Sequence, residues 1–174
     1  MTKVRYVIMK GREGDCHDKV ECALRADGSS PAFDFWNELQ KGVFQDGRAA
    51  FIDPESEDQI SDFIVLARVL RGLIETGYPI YGRAINDLRR GIWEIKGGEA
   101  RMPFFDVERE SGMHTPKSRV AVRWEVDPNM QVDYWWFPHM DQTLRMTHGF
   151  IKDGDLTPEE EMSKAESIRQ EDLI

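Results

Sequence analysis

The chain has 174 residues, 40% of them hydrophobic, and 32 acidic against 23 basic side chains give it a net charge of −9. This length suits one sizeable hydrophobic core rather than two large domains. The negative charge argues against a protein that coats nucleic acid by bulk attraction, because that requires a basic field. The charge is uneven, however, with eight acidic and two basic residues between 153 and 174, and five basic and three acidic residues between 83 and 105.

No run of 18 apolar residues is present, and charges interrupt the short apolar stretch near the N-terminus, so we expect neither a membrane span nor a signal peptide. Cys16 and Cys22 are too few for a disulfide framework. With His17 they lack a fourth ligand and a recognisable metal-binding spacing, so we interpret them as structural. These features predict a soluble, cytoplasmic protein.

The first half of the chain predicts two strands and two helices. Residues 3–9 suit a short strand, and residues 19–25 alternate apolar with polar side chains, as in a strand with one buried face. Ser30 can cap a first helix, with Pro31 at its first position. The second helix has a capping-box pair at its start and a glycine at its end: Ser56, Gln59 and Gly77.

The second half predicts a group of strands and a last helix. Five runs have strand-like content: residues 92–96, 101–107, 119–126, 131–137 and 143–151. The first two form a hairpin around a Gly-Gly turn, and the next two form another. Thr157 then caps a helix whose first turn holds three glutamates, where carboxylates meet the positive end of the helix dipole. The order indicates an α+β fold, an antiparallel sheet packed against helices.

Four segments carry motifs that occur together in one family: SSPAFDFWNELQ, LRRGIWEIK, ARMPFFDV and LRMTHGFIKDGDLTPEEEMSKAESIRQE. In this order they resemble the phage-derived, HigB-type branch of the RelE/ParE toxin superfamily. That branch typically has Leu-(Lys/Arg)-Gly before a Trp/Tyr-Glu-(Leu/Ile)-(Arg/Lys) strand, an arginine opening the next strand, and His-Gly-Phe-x-Lys-Lys before a Thr-Pro helix start. The match covers roughly residues 20–105 and 143–172.

The resemblance implies one RelE-like domain over residues 1–174, with an N-terminal extension (1–17) and an inserted hairpin segment (about 108–142). It implies an mRNA interferase, an endoribonuclease that cuts messenger RNA, often at the ribosome, and that needs no metal or cofactor. The ribose 2′-OH attacks the adjacent phosphate while the protein supplies a base, an acid and cations. The implied partners are mRNA, the ribosome and a cognate antitoxin of the helix-turn-helix type.

Four residues are candidates for catalysis. His148 titrates near neutrality and can serve as base or acid, unless it is a strand histidine hydrogen-bonded to the backbone. Arg101 matches the family's phosphate-binding arginine; its alternative role is a salt bridge to Glu94 or Glu99. Lys152 is a candidate phosphate contact. Glu94 is a candidate base, or simply the partner of a lysine two residues away on the same strand face.

Three more residues are candidates for RNA binding. Lys96 is either a phosphate contact or a solvated surface lysine. Arg89 and Arg90, beside Gly91, either grip RNA or cap a helix end.

The chain departs from the family pattern in ways that favour an alternative function. Asp153 stands where the family commonly has a second lysine, which weakens attraction for phosphate. The inserted segment adds aromatic residues that suit either covering the sheet, stacking on bases or binding a protein: Trp124, Tyr134, Trp135 and Trp136. The alternative is therefore a catalytically inactive, toxin-fold protein that binds or regulates a protein target.

Overall fold

The structure is a computed structural model that describes residues 3–45, 56–81, 83–108, 112–127, 129–152, 154 and 156–174, with the backbone alone for 120–127 and 130–136. The helices in this part are α1 (Pro31–Lys41), α2 (Glu57–Thr76) and α3 (Glu159–Leu173). The strands are β1 (Val7–Lys10), β2 (Lys19–Cys22), β3 (Ile85–Arg89), β4 (Ile92–Gly97), β5 (Ala100–Val107), β6 (Val120–Asp127), β7 (Met130–Trp136), β8 (Thr143–Met146) and β9 (Phe150–Ile151). The predicted α+β class is confirmed.

Seven strands form one sheet in the order β1-β2-β8-β5-β4-β3, with β9 pairing with β5 beyond the end of β8. Strands β6 and β7 form a separate antiparallel hairpin within the segment predicted to be inserted. The pairing of β2 with β8 is parallel, whereas the other pairings of the large sheet are antiparallel. The sheet is therefore mixed, and the prediction of an antiparallel sheet is wrong for this pair. Because a long connection separates β2 from β8, the two strands are free to run in the same direction.

The two faces of the sheet pack against different helices, because successive side chains of a strand point to opposite faces. Helices α1 and α2 cover the first face, where the buried core includes Trp93, Phe104 and Leu70. Helix α3 covers part of the second face, where Phe105 packs with Ile168. The polar residues discussed below lie on this second face.

The boundaries of α1 and α2 follow the predicted signals. Ser30 occupies the N-cap of α1, although its hydroxyl donates to the carbonyl oxygen of Ala23 instead of capping the helix. Ser56 accepts a hydrogen bond from the N–H of Gln59, and Gly77 ends α2 in a left-handed conformation. Across the described part of the chain, no helix combines the length and the apolar character needed to cross a bilayer.

Helix α3 starts later than its sequence signal predicts. Its first residue is Glu159, and Pro158 takes the N-cap position without a side-chain hydrogen bond. The prediction that Thr157 caps the helix is therefore wrong. The Thr157 hydroxyl instead donates to the carboxylate of Glu94, 2.9 Å away on the sheet.

Two strand predictions also need correction. Strand β3 was not predicted; it joins β4 through a two-residue turn in which Arg90 and Gly91 have φ of 52° and 77°. Arg90 therefore lies in a hairpin turn and caps no helix end. The strand predicted over residues 143–151 is divided, because β8 pairs with residues 104–107 of β5 while β9 pairs with residues 100 and 101.

Candidate functional site

Glu94 lies at the centre of the candidate site, on the second face of β4, and its side chain is fully buried. Its carboxylate accepts hydrogen bonds from the Thr157 hydroxyl at 2.9 Å and from the Asn86 side-chain amide at 3.4 Å. The Nε atom of Arg101 lies 3.8 Å from the same carboxylate. A buried carboxylate needs such partners, since an unpaired buried charge is costly.

Arg101 opens β5 directly beside Glu94. One of its terminal nitrogens, Nη1, donates to the carbonyl oxygens of Gly98 at 2.6 Å and Ala100 at 2.9 Å, which anchors the guanidinium at the hairpin turn. Its buried Nε atom has no hydrogen-bond partner among the described residues. This nitrogen faces the Glu94 carboxylate at ion-pair distance, so the two charges offset each other although no hydrogen bond joins them.

Lys96 is the cross-strand neighbour of Arg101. Burial lowers the pKa of the Lys96 ammonium, and the positive charge of Arg101 lowers it further. Lys152 and Arg83 act in the same direction, whereas Glu94 raises the pKa. The backbone geometry agrees with this grouping, because Arg101 pairs with Lys96 across the strands and Arg83 precedes Ala84, whose carbonyl oxygen accepts from the Lys96 N–H at 2.9 Å.

Lys152 reaches this group from β9. Phe150 of that strand pairs with Arg101, and the backbone N–H of Lys152 donates to the carbonyl oxygen of Glu99 at 2.8 Å. The four cations gathered here, called the cation cluster below, are Arg83, Lys96, Arg101 and Lys152. The structure thus brings together four predicted site residues, Glu94 and three of these cations.

His148 lies between β8 and β9 and is fully buried. Its Nε2 atom is 2.8 Å from the Glu161 carboxylate, and its Nδ1 atom is 3.0 Å from the Thr147 hydroxyl. Burial lowers the pKa of His148, and the hydrogen bond to Glu161 opposes that shift. The ring therefore bonds side chains rather than the backbone and does not reach solvent in this arrangement.

Gly149, in the middle of the His-Gly-Phe motif, is explained by packing. A Cβ atom at this position would overlap the ring of Phe35 on α1, which packs against the segment between β8 and β9. Phe150 is buried beside His148 with ring centroids 5.8 Å apart. Packing therefore explains the presence of Gly149 and Phe150 in the motif, and neither residue needs a chemical role.

Arg89 and Arg90 lie at the opposite end of the β3–β4 hairpin from Lys96. The Arg89 guanidinium is 2.7 Å from Glu159 and 2.9 Å from Glu166, both on α3. The side chain of Arg90 is largely exposed and is 3.8 Å from Glu166. Acidic residues of α3 thus occupy these two predicted RNA contacts in the structure.

Asn86 was missed by sequence reasoning, although it donates to Glu94. Its position opposite Glu94 depends on the pairing of β3 with β4, and β3 has no clear alternating pattern. Thr157 was assigned a different role, because a threonine before proline is a common helix-start signal. Asp153 lies outside the described residues, so its effect on the site remains a prediction.

A groove of about 900 Å³ lies away from the cation cluster, beside the N-terminal extension and β2. Its lining includes basic and acidic residues in near balance: Lys3, Arg5, Arg12, Lys19, Arg145, Glu13, Asp18, Glu21 and Glu108. Arg145, at its base, is already paired with Glu21 at 3.1 Å and Asp172 at 2.7 Å. The cation cluster is better suited to a phosphate, because its four positive charges outnumber the three carboxylates that act on Arg101, which are Glu94, Asp62 and Glu99.

A second cluster of buried polar residues connects the N-terminal extension with the inserted segment. The Lys117 ammonium is 2.8 Å from both Asp106 and Asp141, and His17 Nδ1 is 2.7 Å from the Asp141 carbonyl oxygen. Burial raises the pKa of Asp106, and pairing with Lys117 opposes that shift. No group of histidine, cysteine or acidic residues in the described part of the chain is arranged to hold a metal ion. The cluster of Lys117, Asp106, Asp141 and His17 thus joins the N-terminal extension to β5 and to the inserted segment.

No protein-family model matches the chain, and no curated protein matches it significantly. The likeness to RelE/ParE toxins therefore stays a prediction that rests on the quoted motifs.

Proposed function

We propose that the protein is a toxin-like endoribonuclease of the RelE/ParE type that cuts messenger RNA. The observation that supports this best is the cation cluster beside Glu94, in which Lys96 comes from β4, Arg101 from β5 and Lys152 from the end of β9. Lys96 and Arg101 share one hairpin, whereas Lys152 lies much later in the chain, and all three lie in segments that carry the family motifs. The proposal includes a RelE-like arrangement of the sheet and helices.

The cation cluster would hold the phosphate at which the RNA is cut. Arg101 adds the positive charge of its guanidinium, which the hairpin turn holds in place through Nη1, and Lys96 and Lys152 add further positive charge beside it. When the ribose 2′-OH attacks, negative charge grows on those oxygens, and fixed cations stabilise that transition state more than the ground state. Metal ions are not needed for this step.

Proton transfer would involve His148 and Glu94. Burial favours the neutral form of His148, which is the form that accepts a proton from the 2′-OH. Both side chains are held by residues at the start of α3, since Thr157 binds Glu94 and Glu161 binds His148. RNA reaches them only after residues 157–161 move away from the sheet.

The proposed partners are mRNA, the ribosome and an antitoxin of the helix-turn-helix type. The overall charge of −9 opposes binding to nucleic acid far from the site, so contact with RNA should be confined to the cation cluster. Confinement to a small basic area suits an enzyme that meets its RNA one cleavage site at a time.

The decisive experiment incubates the purified protein with translating ribosomes and maps the 5′ ends of the RNA. Cuts at defined codon positions that disappear in Arg101→Ala and His148→Ala would support the proposal. Arg68→Ala is the matched control, because Arg68 is exposed on α2, which packs on the opposite face of the sheet; it should cut like the unchanged protein.

One structural observation favours the alternative, a toxin-fold protein that binds a protein target without cutting RNA. Glu94 and His148 are both fully buried beneath α3, which is unusual for residues that must meet substrate. RNA that stays intact at high protein concentration in the same experiment would favour this alternative.

A further inference from the structure

The turn that leads into β3 lies against the cation cluster. The carbonyl oxygen of Tyr81 accepts a hydrogen bond from the N–H of Ala84 at 3.0 Å. The carbonyl oxygen of Ala84 in turn accepts from the N–H of Lys96 at 2.9 Å. This chain of hydrogen bonds holds Tyr81 close to Lys96, although the two residues are 15 positions apart.

Tyr81 presents an aromatic ring to solvent at this place. Its relative exposure is 48%, whereas nearby aromatic residues of the sheet, such as Trp93 and Phe104, are almost completely buried. Arg83, two residues later, is exposed and belongs to the cation cluster.

An exposed ring beside several cations is the arrangement by which proteins hold unpaired nucleotides. The cations bind the sugar-phosphate backbone, and the ring stacks on a base, which is sequence-tolerant because every base has a π-face. A base inside a duplex is already stacked on both sides and cannot use such a ring. The arrangement therefore selects single-stranded nucleic acid.

We propose that Tyr81 is a stacking platform for an unpaired base of single-stranded RNA whose phosphate lies on the cation cluster. This inference rests on the proposed function and adds to it a residue that holds a base of the substrate, Tyr81. Losing one base-aromatic stack should weaken binding by about 5- to 150-fold. The ring is needed, and the hydroxyl is not.

The test measures binding of a short single-stranded RNA that carries the fluorescent base 2-aminopurine, whose emission falls when it stacks on a ring. The variants are Tyr81→Ala, which removes the ring, and Tyr81→Phe, which keeps it. Tyr78→Ala is the matched control, because Tyr78 is equally exposed, at 51%, but lies directly after the end of α2. The same RNA annealed to its complement measures binding to a duplex.

We expect Tyr81→Ala to bind the single strand at least about fivefold more weakly and to lose the emission change. Tyr81→Phe and Tyr78→Ala should both stay within about twofold of the unchanged protein, and binding to the duplex should be weak and independent of residue 81. Equal binding by Tyr81→Ala and the unchanged protein would overturn the inference. Equal losses in Tyr81→Ala and Tyr78→Ala would do so too, as would failure of the unchanged protein to bind RNA.

Cleavage and stacking are separated by running the 5′-end mapping on the same preparations. If the unchanged protein binds through Tyr81 but cuts no RNA, the enzymatic proposal fails and the stacking platform stands. If it cuts RNA but binds equally well without the ring, the stacking platform fails and the enzyme stands.

Discussion

At the scale of single residues, Thr157 and His148 show how the start of α3 acts on the candidate site. Thr157 donates to the buried Glu94, and His148 bonds to Glu161 one turn further along. The first contact comes from the segment just before the helix, and the second comes from its first turn. The two contacts therefore join the start of α3 to the candidate site beneath it.

Thr157→Val should destabilise the protein by about 1–2 kcal/mol, because the valine keeps the shape but removes a hydrogen bond to a buried carboxylate. The lost contact is with Glu94 and not with the helix backbone. Chemical denaturation gives the free energy of unfolding. Thr115→Val is the matched control, since its hydroxyl meets Glu108 at 3.4 Å on the exposed surface, and it should change little. Equal stability of Thr157→Val and the unchanged protein would mean that the contact with Glu94 contributes nothing.

His148 should make the protein less stable in acid. Burial lowers the pKa of His148 in the folded state below its usual value of 6.5, so near pH 6 the unfolded chain binds more protons than the folded chain. The His148 contribution is therefore present above about pH 6.5 and is lost as the pH falls through the lowered pKa.

The free energies of unfolding of the unchanged protein and of His148→Gln, measured from about pH 8 to about pH 5, check this expectation. As the pH falls, the free energy of unfolding of the unchanged protein should decrease relative to that of His148→Gln. His17, whose pKa is also lowered by burial, is present in both proteins and cancels. A difference that moved the other way in acid would show that His148 is charged in the folded protein, as the partner of Glu161.

At the scale of elements, a buried ionic group fixes the C-terminal end of α3 to the sheet. Asp172 is 2% exposed, and its carboxylate lies 2.7 Å from Arg145 and 3.0 Å from Arg5. It also accepts a hydrogen bond from the N–H of Leu24 at 2.9 Å. The apolar contact of α3 with the second face is small, so these polar contacts hold much of the helix in place.

Asp172→Ala should destabilise the protein by about 3 kcal/mol or more, because it leaves Arg145 buried with one partner fewer. Glu171→Ala is the matched control on the neighbouring residue. Glu171 pairs with Arg25 and accepts a hydrogen bond from the Ala26 N–H, but its side chain stays 23% exposed, so solvent screens the attraction and its loss should be smaller. Thermal and chemical unfolding of both variants give the comparison, and similar losses would contradict a special role for the buried group.

At the scale of the whole molecule, the net charge of −9 bears on the proposed binding of RNA. Most of the excess lies near the C-terminus, where α3 brings glutamates against Arg89 and Arg90. The cation cluster lies at the other end of the β3–β4 hairpin. The proposed attraction for RNA is therefore local, and the net negative charge of the molecule opposes it.

RNA binding should weaken steeply as salt is added. Each phosphate contact releases counterions from the RNA, and that release is less favourable at high salt concentration. Lys96→Ala should lower the slope of log affinity against log salt by about one. Arg101→Ala should reduce cleavage more than binding, since a fixed cation acts mainly on the transition state. Arg68→Ala should match the unchanged protein in affinity, slope and cleavage; a salt slope that neither site variant alters would remove the cation cluster from RNA binding.

The sequence alone determined the α+β class, the boundaries of α1 and α2 and the hairpin of β4 and β5. These features depend on local chemistry: a capping serine, a proline at the first helical position, a glycine at a helix end and a Gly-Gly turn. Side-chain alternation along β4 also placed Glu94 and Lys96 on one face. Such signals act over a few residues and can be read from neighbours in the chain.

Only the tertiary structure decided the parallel pairing of β2 with β8, the division of the last strand and the contact of Thr157 with Glu94. Each joins residues far apart in the chain, and Thr157 and Glu94 are separated by 63 positions. The burial of His148 is also a tertiary effect, because α3 covers a residue whose own sequence pattern indicates an ordinary strand. Which polar side chains meet, and which lose water, depends on how elements pack, and neighbouring residues carry no record of that packing.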